Sequence, residues 1–312
     1  MSPSSLASPF FRWSGRADLS ALLAFLAPRC LIGLDHADPD VSDPPRALGY
    51  RRLARLRDKA IVLSLRTDPA HQRYDLDITG LQDPPGGRDL EGELRRRTDH
   101  FLDLEQPANL WSHLGQDSVL KGVLAETHYV RLPGAWDPFE MMVRAILGQQ
   151  VTVKAARTLT IRLLDRCAPE VPMAPPPLTR LFPRPADLVR ADLDAMGVTG
   201  ARIACLRGTA EAALKDPGLF DPLDQRDWVE RRAQLLALKG IGPWTVDYLG
   251  LRAFGVPDAF PIGDAGLIRA VGHLIGHKPT KKELEAISEP WRPYRSYAVM
   301  ALWTWLAKME NA

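Results

Sequence analysis

The sequence predicts an α+β fold: a small antiparallel β-sheet with one or two helices over residues 1–100, then a mostly α-helical part over 101–312. Three observations lead there. Short β-rich runs separated by proline turns fill the first hundred residues. From about residue 101 onward, apolar residues recur at helical spacing. Two helical patterns then flank a tight turn, Gly240-Ile241-Gly242, which reads as a helix–hairpin–helix.

Composition bounds the rest. Hydrophobic residues make up 46% and charged residues 25%, which excludes a disordered chain, a collagen and a coiled coil. A chain of 312 residues buries about three-quarters of its unfolded surface and needs no covalent staple. The net charge of +2 neither demands nor forbids an anionic partner, so local charge must decide. Cys30, Cys167 and Cys205 form no CxxC pair, which excludes a zinc ribbon and a cysteine-held iron–sulfur cluster. Their sparse use fits a reducing compartment. The apolar run Leu19–Leu34 is interrupted by Pro28 and Arg29 and is too short to span a bilayer. Asp18 at its start argues against a signal peptide, so a cytoplasmic chain is expected.

The elements follow in order. Phe10-Phe11-Arg12-Trp13 predicts a short strand, and Asp18 caps a helix over Leu19–Ala27. Gly49–Leu56, Ala60–Leu65 and Tyr74–Ile78 predict strands, punctuated by Pro44-Pro45, Asp68-Pro69 and Pro84-Pro85-Gly86-Gly87. Arg46, Arg51, Arg52, Arg55, Arg57, Lys59 and Arg66 face one acid, Asp58. They read as a solvated strand face or, more sharply, as a surface for a nucleic-acid backbone. Asp137-Pro138-Phe139-Glu140 is a helix start, with Glu140 in the capping-box position. Seven prolines in 169–185 predict a loop. Helices are then expected over Leu188–Met196, Ala201–Leu214 and Trp228–Ala237.

The chemistry is carried by Leu238-Lys239-Gly240-Ile241-Gly242-Pro243-Trp244-Thr245-Val246. Its second helix opens on Pro243 and ends at Gly255, with Pro257 beyond. Glycines beside a helix N-terminus let a phosphate approach the main chain, where N–H groups and the helix dipole favour an anion. Taken alone, the same pattern also suits a tight turn between packed helices. Asp264 follows Gly242 by 22 residues, within Phe260-Pro261-Ile262-Gly263-Asp264. It precedes a helix, Leu267–Leu274, and reads as its N-cap, worth about 1 kcal/mol. A carboxylate at the lip of a cleft can also stabilise a sugar oxocarbenium ion. His273 and His277 have metal-ligand spacing but no third ligand nearby. Lys278, Lys281 and Lys282 read as a solvated turn.

These motifs resemble the helix–hairpin–helix DNA glycosylase superfamily, and within it the alkylation-repair branch, the DNA-3-methyladenine glycosylase II family. The likeness rests on Val143–Val151, Gly242–Tyr248 and Trp291–Ala298, and it covers most of the chain. It implies a monofunctional base-excision enzyme that flips alkylated purines from duplex DNA and hydrolyses the N-glycosidic bond. Asp264 would be the catalytic carboxylate; Gln149, Trp244, Tyr248, Trp303 and Phe25 would line the base pocket. Gln150 would be the wedge that fills the duplex gap, and Gly240, Ile241, Gly242 and Thr245 would hold the DNA backbone. The carbonyls of Leu236, Leu238 and Ile241 would hold a monovalent cation. No cofactor is expected to be required, no membrane is involved, and the protein is expected to act as a monomer. The chain departs from the family with a polar wedge, Gln150, and with Ala265 where a tyrosine is usual. A lyase for oxidised bases would need a lysine where Trp244 stands. A glycosylase for deaminated bases and a non-catalytic DNA-binding module are the remaining alternatives.

Overall fold

A computed structural model describes residues 8–37, 48–81, 86–87, 89–127 and 130–311. Pro44-Pro45, Arg46 and Pro84-Pro85 lie outside the described residues. Among the described residues, the N-terminal part forms one antiparallel sheet of five strands in the order β1-β5-β4-β3-β2. They are β1 (Phe11–Arg16), β2 (Asp35–Ala37), β3 (Leu48–Leu56), β4 (Lys59–Asp68) and β5 (Arg73–Gly80). Asp68 accepts from the amide of His71 and shapes the β4–β5 turn. Helices α1 (Ser20–Leu26) and α2 (Leu90–Leu102) pack on the sheet. Asp18 accepts from the Ser20 amide at 2.8 Å, so it serves the start of α1.

Helices make up the rest. They are α3 (Leu110–Leu114), α4 (Leu120–Glu126), α5 (Pro138–Leu147), α6 (Val153–Cys167), α7 (Pro185–Arg190), α8 (Gly200–Lys215), α9 (Trp228–Leu236), α10 (Pro243–Ala253), α11 (Ala265–Ile275), α12 (Lys281–Ser288) and α13 (Arg295–Asn311). None is long and apolar enough to cross a membrane. One apolar core joins α5, α6, α8 and α10, and a second joins α4, α11 and α13. The end of α1 and the segment after it enter both. Phe25 packs in the second core, and Leu31 and Leu34 in the first.

Three expectations are corrected. The helix expected over Leu188–Met196 lies earlier, at Pro185–Arg190. Asp187 reaches back to the Arg184 amide at 2.9 Å, and Asp192 then turns the chain by accepting from the Asp194 amide. Leu193 and Met196 are buried from turns, so their spacing reported core contact rather than helix. The basic strand stretch is neither solvated nor open to a polyanion at its centre. Arg52 is 6% exposed and donates to Glu140 at 2.6 Å. Arg55 donates to the Phe182 carbonyl; away from this centre Arg57, Lys59 and Arg66 are exposed, Arg66 donating to Asp77.

Glu140 does not complete a capping box either. Asp137 caps α5 alone, accepting from the amides of Phe139 and Glu140. The Glu140 side chain turns inward and is also held by Arg144 at 3.1 Å. Burial alone would raise its carboxyl; Arg52 and Arg144 override this and hold it below the usual range. Because the folded value is depressed, its stabilisation is present above the unfolded value, about 4.3. It is lost as pH falls through the folded value. Removing one partner of such a pair strands a buried charge. Glu140→Gln should therefore cost about 3 kcal/mol at pH 7 by chemical denaturation. The gap between variant and native protein should shrink as pH falls from the unfolded value, about 4.3, through the depressed folded value, where the native carboxyl takes up its own proton.

Candidate active site

The site is built on helical periodicity. Trp244, Tyr248 and Arg252 lie at i, i+4 and i+8 of α10 and so share one face. The Trp244 and Tyr248 rings stack, with centroids 5.3 Å apart and planes 21° from parallel. Trp303 of α13 meets Tyr248 at 6.1 Å. Phe25 of α1 lies 15° from parallel to Trp303, at 6.4 Å. Four rings from three elements thus form one row. Arg29, one turn beyond Phe25, places its guanidinium carbon 3.7 Å from that ring centre; Arg252 places its own at 4.7 Å. Burial lowers both guanidiniums, and it brings Arg252 down to about 10.

Asp264 stands beside this row as the N-cap of α11. Its Oδ1 accepts from the Leu267 amide at 2.8 Å and from Trp303 Nε1 at 2.8 Å. Its Oδ2 has no hydrogen-bond partner among the described residues. The carboxylate is therefore held through one oxygen and presents the other. Gly266 makes the approach possible: a Cβ there would lie 3.1 Å from Asp264 Oδ1 and 3.3 Å from the Trp303 ring. No local signal marks Gly266, Arg29 or Arg252 in the sequence beyond their spacing from residues already singled out.

The hairpin divides its work between two glycines. Gly240 has φ +87°, and a Cβ there would lie 3.0 Å from Cys205 Sγ. Its role is conformational. Gly242 has φ −104° and nothing within 4 Å of where a Cβ would stand, so its openness serves whatever approaches from outside. The N–H groups of both have no acceptor among the described residues. Ile241 is different. Its side chain is buried and its amide donates to the Leu238 carbonyl. The Thr245 side chain is buried too, and its hydroxyl accepts from Gln149 Nε2 at 3.1 Å. Gln149 also donates to the Gly240 carbonyl at 3.3 Å, so its amide ties the α5–α6 turn to the hairpin. The next residue, Gln150, is exposed with φ +58°, and Val151 and Val153 beyond it are exposed as well.

Other candidate residues fall away from this centre. His277 lies past the end of α11 and faces Glu283 at 3.4 Å, so it shares no helical face with His273. Among the described residues, no group of three His, Cys, Asp or Glu could hold a metal ion. The Leu236, Leu238 and Ile241 carbonyls are hard oxygen donors near the C-terminal end of α9, where negative dipole charge gathers, which suits an alkali cation chemically. A cleft of about 250 Å³ between the sheet and the helices is lined by Arg55, Arg97 and Phe220 and shares no residue with the aromatic row.

Residues 143–293 match the family described as HhH-GPD superfamily base excision DNA repair protein, and residues 12–137 match the AlkA N-terminal domain. The chain is 30% identical over 295 residues to DNA-3-methyladenine glycosylase 2 of Escherichia coli, covering 93% of this chain and 95% of that one. The chain belongs to the HhH-GPD superfamily. It is also 36% identical over 264 residues to a probable bifunctional transcriptional activator/DNA repair enzyme AlkA of Mycobacterium tuberculosis. That match covers 84% of this chain and 51% of the relative, so the chain spans about half that relative's length. The fold is that of the 3-methyladenine DNA-glycosylase of Archaeoglobus fulgidus, with a TM-score of 0.75 at 19% identity over 97% of this chain and all of that one.

Within this superfamily member the two hairpin glycines can be told apart by stability. Gly240→Ala should lower stability by about 1–2 kcal/mol, from strain at positive φ and pressure on Cys205. Gly242→Ala should stay within about 0.5 kcal/mol of the parent. Thermal unfolding of the two variants checks the assignment.

Proposed function

We propose that this chain is a monofunctional DNA glycosylase of base excision repair that releases alkylated purines from duplex DNA. The observation that carries the reading is the Asp264 carboxylate, held through Oδ1 by Leu267 and Trp303 with Oδ2 open, beside a row of aromatic rings. Relatives named DNA-3-methyladenine glycosylase support it. A base inside a duplex is out of reach, so it must be extruded, at about a few kcal/mol. Gln150, exposed on its turn, takes the gap. The N–H groups of Gly240 and Gly242 and the α10 N-terminus hold a backbone phosphate. Carbonyls of Leu236, Leu238 and Ile241 would hold a monovalent cation, which would supply positive charge to the hairpin. The protein acts as a monomer in the cytoplasm.

At the row the extruded ring stacks on Trp244, Tyr248 and Trp303, which favours a polarised or cationic base. The N-glycosidic bond breaks and the base leaves with the bonding pair. Positive charge develops at C1′, and Asp264 stabilises it. Water then adds at C1′ and gives up a proton, leaving an intact abasic strand.

Asp264→Asn keeps a cap acceptor and removes the charge. Folding should be near normal, and single-turnover release of 7-methylguanine should fall at least about a hundredfold. Unchanged release would end the assignment. Trp303→Phe should keep the ring and lose the tether, with a smaller loss of about tenfold.

Gly242→Val fills the open side of the hairpin without touching the fold. DNA affinity should weaken about tenfold for every sequence alike, since phosphate contacts carry no sequence information. A loss confined to some sequences would show that the hairpin does not clamp phosphate.

Trp244 stands where a Schiff-base lysine would be needed. Borohydride added during turnover should trap no protein–DNA adduct, and no alkali-independent nick should appear. An adduct would overturn the monofunctional reading.

A further inference from the structure

The turn between α5 and α6 is strained at its tip. Gln150 has φ +58°, in the left-handed region that residues other than glycine rarely adopt. It is exposed, and among the described residues it makes no hydrogen bond of its own. Val151 and Val153 beside it are exposed as well. A strained residue persists only where its surroundings hold it. Here the preceding residue is held from two sides. The Gln149 carbonyl accepts from Arg202 Nη2 of α8 at 2.8 Å. The Gln149 side-chain nitrogen donates to the Gly240 carbonyl at 3.3 Å and to Thr245 Oγ1 at 3.1 Å. A carbonyl can only accept, so Gly240 fixes which end of the amide faces it. Helix α8 also abuts the hairpin, with Cys205 Sγ 3.0 Å from where a Cβ on Gly240 would stand. The tip, α8 and the hairpin are therefore tied to one another.

We propose that Arg202 and Gln149 are positioning residues that hold the Gln150 wedge at a fixed place relative to the hairpin. The inference rests on the glycosylase reading above and concerns its extrusion step. A hairpin that holds a backbone phosphate sets the frame of the duplex, because phosphate contacts fix register and orientation. Extrusion of a base costs about a few kcal/mol, and a wedge offsets that cost only if it stands at the gap when the base leaves. A loose tip would first have to be ordered, and the ordering would draw on the same binding energy. The two tethers divide this work. Arg202 holds the main chain one residue before the wedge, with a guanidinium whose donors lie in a rigid fork. The Gln149 amide sets the distance from that point to Gly240. Both act through Gln150, and neither is required to touch the leaving base.

The experiment measures single-turnover release of 7-methylguanine from two duplexes, one with the lesion facing cytosine and one with it facing an abasic site. Only the first has a base pair to break and a partner base left behind. Arg202→Met should lose about tenfold on the lesion facing cytosine, the scale of one hydrogen bond from a charged donor. On the lesion facing the abasic site it should lose less than about threefold, because little extrusion work remains there. Introduced into Gln150→Ala, Arg202→Met should cost nothing further, since residues that act through one another are not additive. Affinity for undamaged duplex should stay within about twofold of native, because the hairpin still holds the phosphate. Melting curves confirm folding. If Arg202→Met does not fold, Gln149→Met removes the other tether and is judged by the same comparison. Equal losses on the two duplexes, an additive loss in the double variant, weaker binding of undamaged DNA, or no loss in a folded variant each overturns the assignment and leaves the glycosylase reading intact. Release of 7-methylguanine from neither duplex by the native protein overturns both.

Discussion

Glu140 lies 2% exposed at the junction of the two halves, and much of the site depends on it. It accepts from Arg52 of β3 and from Arg144 one turn along α5. Arg144 in turn donates to the Arg29 carbonyl at 2.6 Å, and Arg157 donates to the Cys30 carbonyl at 2.6 Å. Those bonds hold the turn after α1 against the helices. That turn carries Arg29 and follows directly on Phe25, the α1 residue that completes the aromatic row. A buried carboxylate with two guanidiniums is weak evidence for stability, since its desolvation is large. Its value here is positional: it fixes where the N-terminal half meets α5.

Asp264 shows how one residue serves two ends. As a cap it satisfies an amide that α11 cannot. As a tethered carboxylate it has a fixed direction, because Trp303 Nε1 shares the same oxygen. The indole thereby contributes a ring face to the row and a hydrogen bond to the acid. Gly266 supplies the space in which the two can meet. The arrangement is compact because each side chain is held by the group it assists.

Local signals were legible in the sequence. Strand runs, the hairpin, the Asp264 cap and the α10 helix all announce themselves within about ten residues. What could not be read was long-range pairing. Glu140 sits where a capping box would place it, and only the fold brings Arg52, 88 residues earlier, to its carboxylate. The basic strand looked like a polyanion surface for the same reason. Its partners, Glu140 and the Phe182 carbonyl, are distant in sequence. Gln149 was expected among the rings by likeness alone, and its amide is placed on Thr245 and Gly240. Arg252 had a local signal in its spacing from Tyr248. A lone arginine on an amphipathic helix usually snorkels to water, so the spacing by itself could not tell.

The two glycines of the hairpin follow the same division between local and distant cause. Gly240 is required by its own φ and by Cys205 of α8, which presses on the turn from below. Gly242 is required by nothing inside the molecule. An open glycine at the N-cap of a proline-started helix has no packing reason to remain small, because any side chain there would point into free space. Its smallness makes sense only in terms of something that comes from outside, and the neighbouring N–H groups without acceptors indicate that this visitor is an acceptor. The helix dipole adds that it carries negative charge. A phosphate meets all three conditions without any sequence-specific contact. On the glycosylase reading proposed above, a hairpin that takes only phosphate holds any stretch of duplex equally well and leaves the choice of base to the aromatic row.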